Sequence, residues 1–160
     1  IYILDSLPGL SGYIGFNETK LQLIKEFNIN YHKIHAIPFL YESEKMVNTY
    51  NESKYVIEYF YQNNIKNFII CSPTFHLPRA FISIVSLIIK NNYTMSVYCL
   101  PGIVSDYHNC QIVHSQGVLK DYPINLITNE LHRIETYTKK GDLLNIEEIL
   151  NYLQNRKLIE

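Results

Sequence analysis

The sequence lacks several features that would point directly to a class of function. Fourteen Lys and Arg residues stand against fifteen Asp and Glu residues, which gives a formal net charge of −1. This balance removes any general electrostatic case for binding nucleic acid or a membrane surface. The three cysteines, Cys71, Cys99 and Cys110, are odd in number and form no C-x-x-C pair, so they predict neither a disulfide framework nor a zinc ribbon. A reducing, cytoplasmic location fits this pattern best.

Long apolar runs are also missing. No run reaches the roughly 18 residues that would indicate a membrane span, because Ser83 and Ser86 interrupt the longest one, residues 80–89. There is no Gly-x-Ser-x-Gly elbow, no Walker loop and no Gly-x-Gly-x-x-Gly signature. We therefore expect no membrane span in this chain. Since the sequence begins inside a strand-like run without Met, we also expect upstream residues, such as a first strand or a membrane anchor.

What the sequence does contain is an alternation of short strand-like runs and longer helical patterns, typical of an α/β fold with a mainly parallel sheet. A chain of this length can bury a real core as one domain. We expect a single domain over 1–160, with an irregular excursion at 101–118 and a C-terminal helical part at 119–160. The predicted strands are 2–4, 33–37, 67–71 and 94–99, and the predicted helices are 19–27, 50–62, 78–90, 123–139 and 146–153.

The segment 71–80, with the sequence CSPTFHLPRA, joins a predicted strand to a predicted buried helix. His76 and Arg79 lie where that helix begins. Peptide dipoles make this end of a helix electropositive, which disfavours a bare cation by a few tenths to about 1 kcal/mol. An anionic ligand would offset the cost, and the hydroxyl groups of Ser72 and Thr74 would lie beside it at the end of the strand.

A second turn opens the preceding helix with the sequence NTYNES, residues 48–53. Glu52 is in line with Val56 and Phe60, so we predict that it begins on the face that packs toward the sheet. A carboxylate placed there, near the two cations of the other turn, suits an acid–base role or the binding of ribose hydroxyl groups.

Both turns also have purely structural interpretations. Thr49 with Glu52 matches a capping box, in which a hydroxyl and a carboxylate satisfy the first backbone N–H groups of a helix. His76 could equally be a surface histidine. Arg79 could belong to a polar stripe that faces water and that also includes Ser83, Ser86 and Lys90.

The two turns together resemble the domain-of-unknown-function 218 family, the YdcF-like and SanA/ElyC-like proteins. Typical members open one helix with an Asn-Thr-x-x-Glu-type segment and, after the next strand, open another with Thr-Ser-x-x-His-x-x-Arg-Ala. Here these segments are residues 48–53 and 71–80, and the likeness covers about residues 1–100. Members usually have a Ser-Gly-Gly turn after an earlier strand, where this chain has Asp5-Ser-Leu-Pro-Gly9.

The resemblance implies a Rossmann-like three-layer sandwich with a pocket at the strand ends and an anionic small-molecule ligand, nucleotide-type or phosphorylated. It also suggests S-adenosylmethionine or a nucleotide as cofactor, and a link to cell-envelope maintenance or nucleotide-related metabolism. The reaction stays open between a transferase or hydrolase acting on a phosphorylated substrate and a non-catalytic binding or protein-interaction module. The candidate acid–base residues are Glu52 and His76, and the candidate ligand contacts are Asn48, Thr49, Ser72, Thr74, Arg79 and Asp5.

Other potentially reactive residues favour structural explanations. His32 and His35 would point to opposite faces of a strand, so we do not expect them to share a metal ion. Cys71 could be a nucleophile at a strand end, but we predict a buried, apolar role. A scattered polar loop is the simplest explanation for the remaining group, His108, Cys110 and His114.

Overall fold

A computed structural model of the chain describes residues 1–5, 15–38, 48–102, 108, 111–114 and 119–156. Within these ranges the fold is mixed α/β, as predicted, and contains helices and short two-stranded sheets. The strands are β1 Tyr2–Asp5, β2 His35–Pro38, β3 Asn67–Pro73, β4 Ser96–Gly102, β5 Ile112–His114 and β6 Leu119–Asp121. The helices are α1 Phe16–Phe27, α2 Thr49–Gln62, α3 Leu77–Lys90, α4 Pro123–Lys139 and α5 Ile146–Asn155, and a short 3-10 turn spans Tyr31–Lys33.

Most helix boundaries lie close to their predicted positions. The predicted bounds of α4 are confirmed, and α3 ends at Lys90 as expected but starts one residue before Pro78. Proline fits the first turn of a helix, because its missing N–H would find no intrahelical acceptor there. Asn145 caps α5: its side chain accepts the N–H of Glu148, whose carboxylate in turn accepts the N–H of Asn145.

The segment 101–118 is more regular than expected. Pro101 and Gly102 complete β4, because that strand stays paired with β3 as far as Pro73. Residues 112–114 form β5, which pairs antiparallel with β6. The predicted irregular excursion is therefore wrong at residues 101–102 and 112–114. The predicted C-terminal helical part contains its two helices but begins with the short strand β6. Apart from His108 and Gln111, the rest of 101–118 lies outside the described residues.

The chain divides into two compact units, residues 1–46 with 111–121 and residues 47–110 with 122–160. In the first unit, β1 and β2 pair in parallel from Tyr2–His35 to Asp5–Pro38. Helix α1 contacts β1 but buries none of its own residues. The prediction of a single domain stays a prediction.

The second unit contains a parallel pair of strands and four helices among the described residues. β3 and β4 pair in register from Asn67–Ser96 to Pro73–Gly102. Helix α3 contacts both strands and also α2, α4 and α5, so it lies at the centre of this unit. Val85 of α3, Val97 of β4 and Leu126 of α4 are completely buried. Apolar burial of this kind, about 25 cal/mol per Å² removed from water, is the main source of the unit's stability.

Helix α5 covers the outer edge of β4. The hydroxyl group of Tyr152 accepts the N–H of Val97 at 2.8 Å and donates to the carbonyl oxygen of Met95 at 3.0 Å. The guanidinium of Arg156 donates to the carbonyl oxygen of Val97 and lies 4.7 Å from the ring centroid of Tyr98. These side chains satisfy backbone groups that an uncovered strand edge would offer to another chain.

The longest described helix, α4, has 17 residues. A helix needs about 20 mostly apolar residues to cross a bilayer. None of the helices in the described ranges is long and apolar enough to do so.

Candidate functional site

The turn between β3 and α3 places two basic side chains on the first turn of a buried helix. The N–H of His76 donates to the carbonyl oxygen of Pro73 at 2.9 Å, which closes the turn, and His76 occupies the N-cap position of α3. No side chain caps the helix at this position. Arg79 is the third residue of the helix and is buried, with 6% of its surface exposed.

Both basic side chains contact one carboxylate, that of Glu130 on α4. Arg79 donates from Nε to Oε2 at 2.6 Å and from one terminal nitrogen to Oε1 at 3.2 Å, which is a bidentate pair. Nδ1 of His76 lies 2.7 Å from Oε2 of the same carboxylate. Arg133, one turn further along α4, donates to Oε1 at 3.2 Å. Glu130 itself is 1% exposed, so four polar groups meet in the interior of the unit.

The direction of α4 explains why Glu130 reaches this position. Arg79 contacts Glu130 near the start of α3, and Lys90 at the end of α3 donates to the carbonyl oxygens of Gly141 and Asp142 just after α4. The two helices therefore run side by side in the same direction. A carboxylate from the middle of α4 then lies at the N-terminus of α3, where the helix dipole favours a negative charge.

This carboxylate supplies the negative charge that the sequence predicted for the first turn of α3. Glu130 already pairs with His76 and Arg79, so no ligand is needed to supply a first negative charge there. The predicted water-facing stripe is wrong. Arg79, Ser83 and Ser86 are all buried, and Ser86 accepts the N–H of Leu144 at 2.9 Å.

The side chains that contact Glu130 carry a positive excess. Arg79 and Arg133 contribute two positive charges against its single negative charge, and Glu52, which interacts electrostatically with Arg79, adds a second carboxyl group nearby. The side chain of Arg133 is 30% exposed and that of His76 is 18% exposed, so both reach the edge of the buried cluster. Guanidinium groups carry five N–H donors in a planar fork, which makes them the preferred partners of phosphate and carboxylate groups.

The turn into α2 is capped by Asn48, and the predicted Thr49–Glu52 capping box is wrong. The side chain of Asn48 accepts the N–H of Asn51 at 2.9 Å, and Thr49 is the first helical residue. Thr49 is buried, and the hydroxyl of Ser53 donates to its carbonyl oxygen at 2.6 Å. Asn48 is therefore a helix cap in this structure, and its amide nitrogen remains the group to test for ligand binding.

Glu52 lies at the margin of the buried face of α2. The residues that this helix buries are Thr49, Ser53, Ile57 and Phe60, so the stripe is displaced by one residue from the predicted line through Val56. Burial raises the pKa of the Glu52 carboxyl, and the positive charge of Arg79 partly opposes this shift. The charge interaction associates Glu52 with Arg79, and the raised pKa means that its carboxyl group stays protonated to higher pH than that of an ordinary glutamic acid.

The two predicted hydroxyl contacts lie on the strand side of the turn. Ser72 is half-buried in β3, opposite Pro101. The hydroxyl of Thr74 donates to the carbonyl oxygen of Gly102 at 2.8 Å, which ties the turn to the end of β4. A Cβ at Gly102 would lie 3.2 Å from the carbonyl oxygen of Ser72, so glycine allows the two strand ends to approach closely.

The remaining candidates are Asp5 and Cys71. Asp5 ends β1 in the first unit and is exposed. Cys71 is exposed, so its predicted burial is wrong; alternation along β3 puts Phe68 on the buried face and Ile69 and Cys71 on the opposite, open one.

His32 and His35, which we did not assign to a metal site, do not lie on one strand as the sequence predicted. His32 belongs to the 3-10 turn and not to a strand, while His35 is in β2 and stacks on Tyr2 at a centroid distance of 5.1 Å. His108 is exposed, whereas Cys110 and the side chain of His114 lie outside the described residues. Within the described part of the chain, no group of three or more His, Cys, Asp or Glu residues could hold a metal ion.

Sequence reasoning missed Glu130, which the structure places at the centre of the cluster. The buried residues of this helix are Pro123, Leu126 and Glu130, whereas Leu131 is 59% exposed. Two signals were present. Glu130 follows Leu126 by one helical turn, and Arg133 follows at i+3, the spacing of an intrahelical ion pair.

The chain was compared with known proteins at three levels. No protein-family model matches the sequence, no curated protein is similar to it, and no solved structure matches its fold.

Proposed function

We propose that this chain binds an anionic small molecule, nucleotide-type or phosphorylated, at the turn between β3 and α3. The observation that supports this most is the composition of the buried cluster: two guanidinium groups and an imidazole surround a single carboxylate. Arg79 and Arg133 have more N–H donors than Glu130 can accept. These donors lie at an electropositive helix terminus, so a phosphate or carboxylate group of a ligand would be attracted there.

The neighbouring polar groups fit the same interpretation. Ser72 and Thr74 lie at the ends of the paired strands, and Asn48 and Glu52 lie on the first turn of α2. In parallel α/β sheets ligands bind outside the carboxyl ends of the strands. We include in the proposal a Rossmann-like sandwich of the domain-of-unknown-function 218 type, a cytoplasmic location, and a nucleotide or S-adenosylmethionine as cofactor.

If the protein is an enzyme, transfer or hydrolysis of a phosphorylated group is the reaction class that these residues favour. Glu52 has a raised pKa and could deliver a proton, while His76 could accept one. Arg79 and Arg133 would stabilise the negative charge that develops on the transferred group.

Calorimetric titration with AMP, S-adenosylmethionine and inorganic phosphate tests the binding site. The most informative variant is Arg133→Gln, because this side chain is partly exposed and its loss leaves the Arg79–Glu130 pair intact. Losing one charge-assisted contact should weaken binding about tenfold or more. Lys139→Gln is the matched control, since Lys139 is a cation of the same helix that pairs only with exposed Glu135 among the described residues. Binding of none of the three probes, or equal effects of the two variants, would overturn the proposal.

A second function is supported by a different observation. Helices α4 and α5 expose large apolar side chains, with Leu131 59% and Ile146 62% exposed. Exposed apolar residues on a helix face are a feature of protein-interaction surfaces. A non-catalytic interaction module therefore remains the alternative. Sedimentation analysis of the wild type and Leu131→Lys would test self-association through α4, and AMP binding should not change in this variant.

A further inference from the structure

The pairing of β4 with β3 determines which backbone groups of β4 point to its outer edge. The N–H of Ser96 donates to the carbonyl oxygen of Lys66 at 2.7 Å, so the backbone of Ser96 points toward β3. Backbone groups of successive residues in a strand point to opposite edges. Val97, Cys99 and Pro101 therefore direct their backbone groups to the outer edge, away from β3.

Side chains at the end of α5 cover the first part of this edge. The hydroxyl group of Tyr152 bridges the N–H of Val97 and the carbonyl oxygen of Met95. Burial raises the pKa of this hydroxyl group, so it keeps the proton that it donates. Arg156, the C-cap residue of α5, donates to the carbonyl oxygen of Val97.

The second part of the edge is not covered in this way. The outward N–H of Cys99 has no hydrogen-bond partner among the described residues. Pro101 has no N–H at all, which is a common means of ending strand pairing along an exposed edge. The surface able to pair with another strand therefore extends from Met95 to Cys99, and α5 blocks only its first half.

Helix α5 is held weakly enough to leave this edge. It has ten residues, fewer than an isolated helix needs for stability in water, and it buries one of them, Ile149. Nε of Arg156 is buried without a hydrogen-bond partner in the described part of the chain, and an unsatisfied buried donor weakens the contact. Elements with few buried residues open locally at a lower free energy than the core of a protein.

We propose that α5 is a removable cover, and that the outer edge of β4, once uncovered, pairs with the same edge of a second copy of this chain. Two identical edges related by a two-fold axis run antiparallel and offer each other matching donors and acceptors, so the contact is self-complementary. The proposal rests on the contacts between α5 and β4 and requires no anionic ligand.

Hydrogen exchange in the wild-type protein tests whether α5 opens locally. The N–H of Val97 should exchange through loss of the cover alone, so its exchange rate should change little at low urea concentrations. The N–H of Ser96 is bonded inside the sheet and should exchange only through larger unfolding, so its rate should rise steeply with urea. Equally steep urea dependences of the two amides would overturn the proposal, whatever the variants show.

Arg156→Gln tests whether the two side chains act as one cover. This change leaves the bond between Tyr152 and the N–H of Val97 in place. If the end of α5 opens as a unit, exchange at Val97 should nevertheless accelerate about tenfold, the equivalent of one hydrogen bond. Gln154→Ala, at an exposed position of the same helix, is the matched control and should have no effect. An unchanged rate at Val97 in Arg156→Gln would contradict a common opening.

Sedimentation analysis of the double variant Tyr152→Phe with Arg156→Gln tests the partner. Both copies must be open to pair, so an open fraction raised about tenfold lowers the apparent dissociation constant of the dimer about a hundredfold. Self-association no stronger than that of the wild type would overturn the proposed pairing.

Cys99→Pro, added to this double variant, identifies the surface that pairs. It removes an outward N–H, as Pro101 already does, and leaves the inward N–H groups that pair with β3. Association should return to the wild-type level, with Ser96 still protected from exchange as evidence of folding. Leu131→Lys in the same background should leave the dimer intact. Association that survives Cys99→Pro, or that Leu131→Lys abolishes, would show that the copies meet through another surface and would overturn the proposal.

Discussion

Glu130 and Glu135 lie on the same helix and both pair with basic side chains, but their surroundings are opposite. Glu130 is 1% exposed and is contacted by Arg79, Arg133 and His76. Glu135 is on the solvent side of α4, and its carboxylate accepts one hydrogen bond from Lys139 at 2.5 Å. The hydrogen bond and the positive charge of Lys139 lower the pKa of Glu135.

The difference shows that burial, and not the presence of an ion pair, decides how much a carboxylate contributes to the stability of the fold. A buried charge has lost its hydration, so removing its partners or the charge itself leaves an uncompensated group in the interior. An exposed pair gains little, because water and salt screen the two charges and solvate either one when the other is removed. Only the buried member can hold other side chains in a fixed geometry.

Glu130→Leu should have the largest effect on stability. It leaves Arg79 buried without its carboxylate, and breaking a buried ion pair in this way costs about 3–5 kcal/mol. Urea titration should show this loss in the free energy of unfolding. Glu135→Leu is the matched control and should unfold at nearly the wild-type urea concentration. Equal losses in the two variants would remove the contrast between the two glutamates.

The double variant Arg79→Met with Glu130→Leu should be more stable than the sum of the two single changes predicts. Replacing both partners of a buried pair by apolar residues avoids the unpaired charge that each single variant leaves behind. Contacting residues in such cycles show interaction energies of about 0.5–3 kcal/mol. Arg133 and His76 reach solvent, so both can be hydrated in the double variant. A change in unfolding free energy of the double variant that equals the sum of the two single changes would contradict the coupling.

The same contrast explains what the sequence could and could not predict. Helix limits depend on local signals such as Pro78 near the start of α3 and Asn145 before α5, and these gave boundaries close to those observed. The identity of the buried face of α4 does not depend on local signals. A glutamate is assigned to the surface by default, and the partner that buries Glu130 lies 51 positions earlier in the chain.

The cap of α2 shows a second limit. Asn48 and Thr49 are adjacent and both residue types favour the N-cap position. The sequence alone does not decide between them, and a shift of one residue rotates the predicted buried stripe of the helix by about 100°. The structure selects Asn48 as cap and buries Ser53 and Ile57. For this reason the sequence located Thr49 and Glu52 on the first turn of α2, while their roles in that turn needed the structure.

Glu52→Gln should alter how the free energy of unfolding depends on pH. This effect should be smaller than the loss of stability expected in the Glu130 variants. The pKa of Glu52 is raised in the folded protein, mainly by burial, so the folded state binds more protons than the unfolded state above the ordinary glutamate value. Stability from this group is therefore present at low pH and is lost as pH rises through the folded pKa. Glu52→Gln should lack that loss and be relatively more stable at neutral pH. Urea midpoints measured from pH 4 to 8 test this, and parallel pH profiles of the two proteins would contradict it.

Glu135→Gln should have the smallest effect and the opposite pH dependence. Lys139 lowers the pKa of Glu135, so any stabilisation by this pair is present above the ordinary glutamate pKa and is lost as pH falls through the folded value. The pair is exposed, and 1 M salt, where the Debye length is about 3 Å, should abolish what little it contributes. The melting temperatures of Glu135→Gln and wild type should therefore coincide at high salt. Glu130→Gln should stay less stable than wild type under the same conditions, because the added ions do not reach the buried carboxylate. A salt response that is equal at both positions would mean that the Glu130 cluster is hydrated in solution.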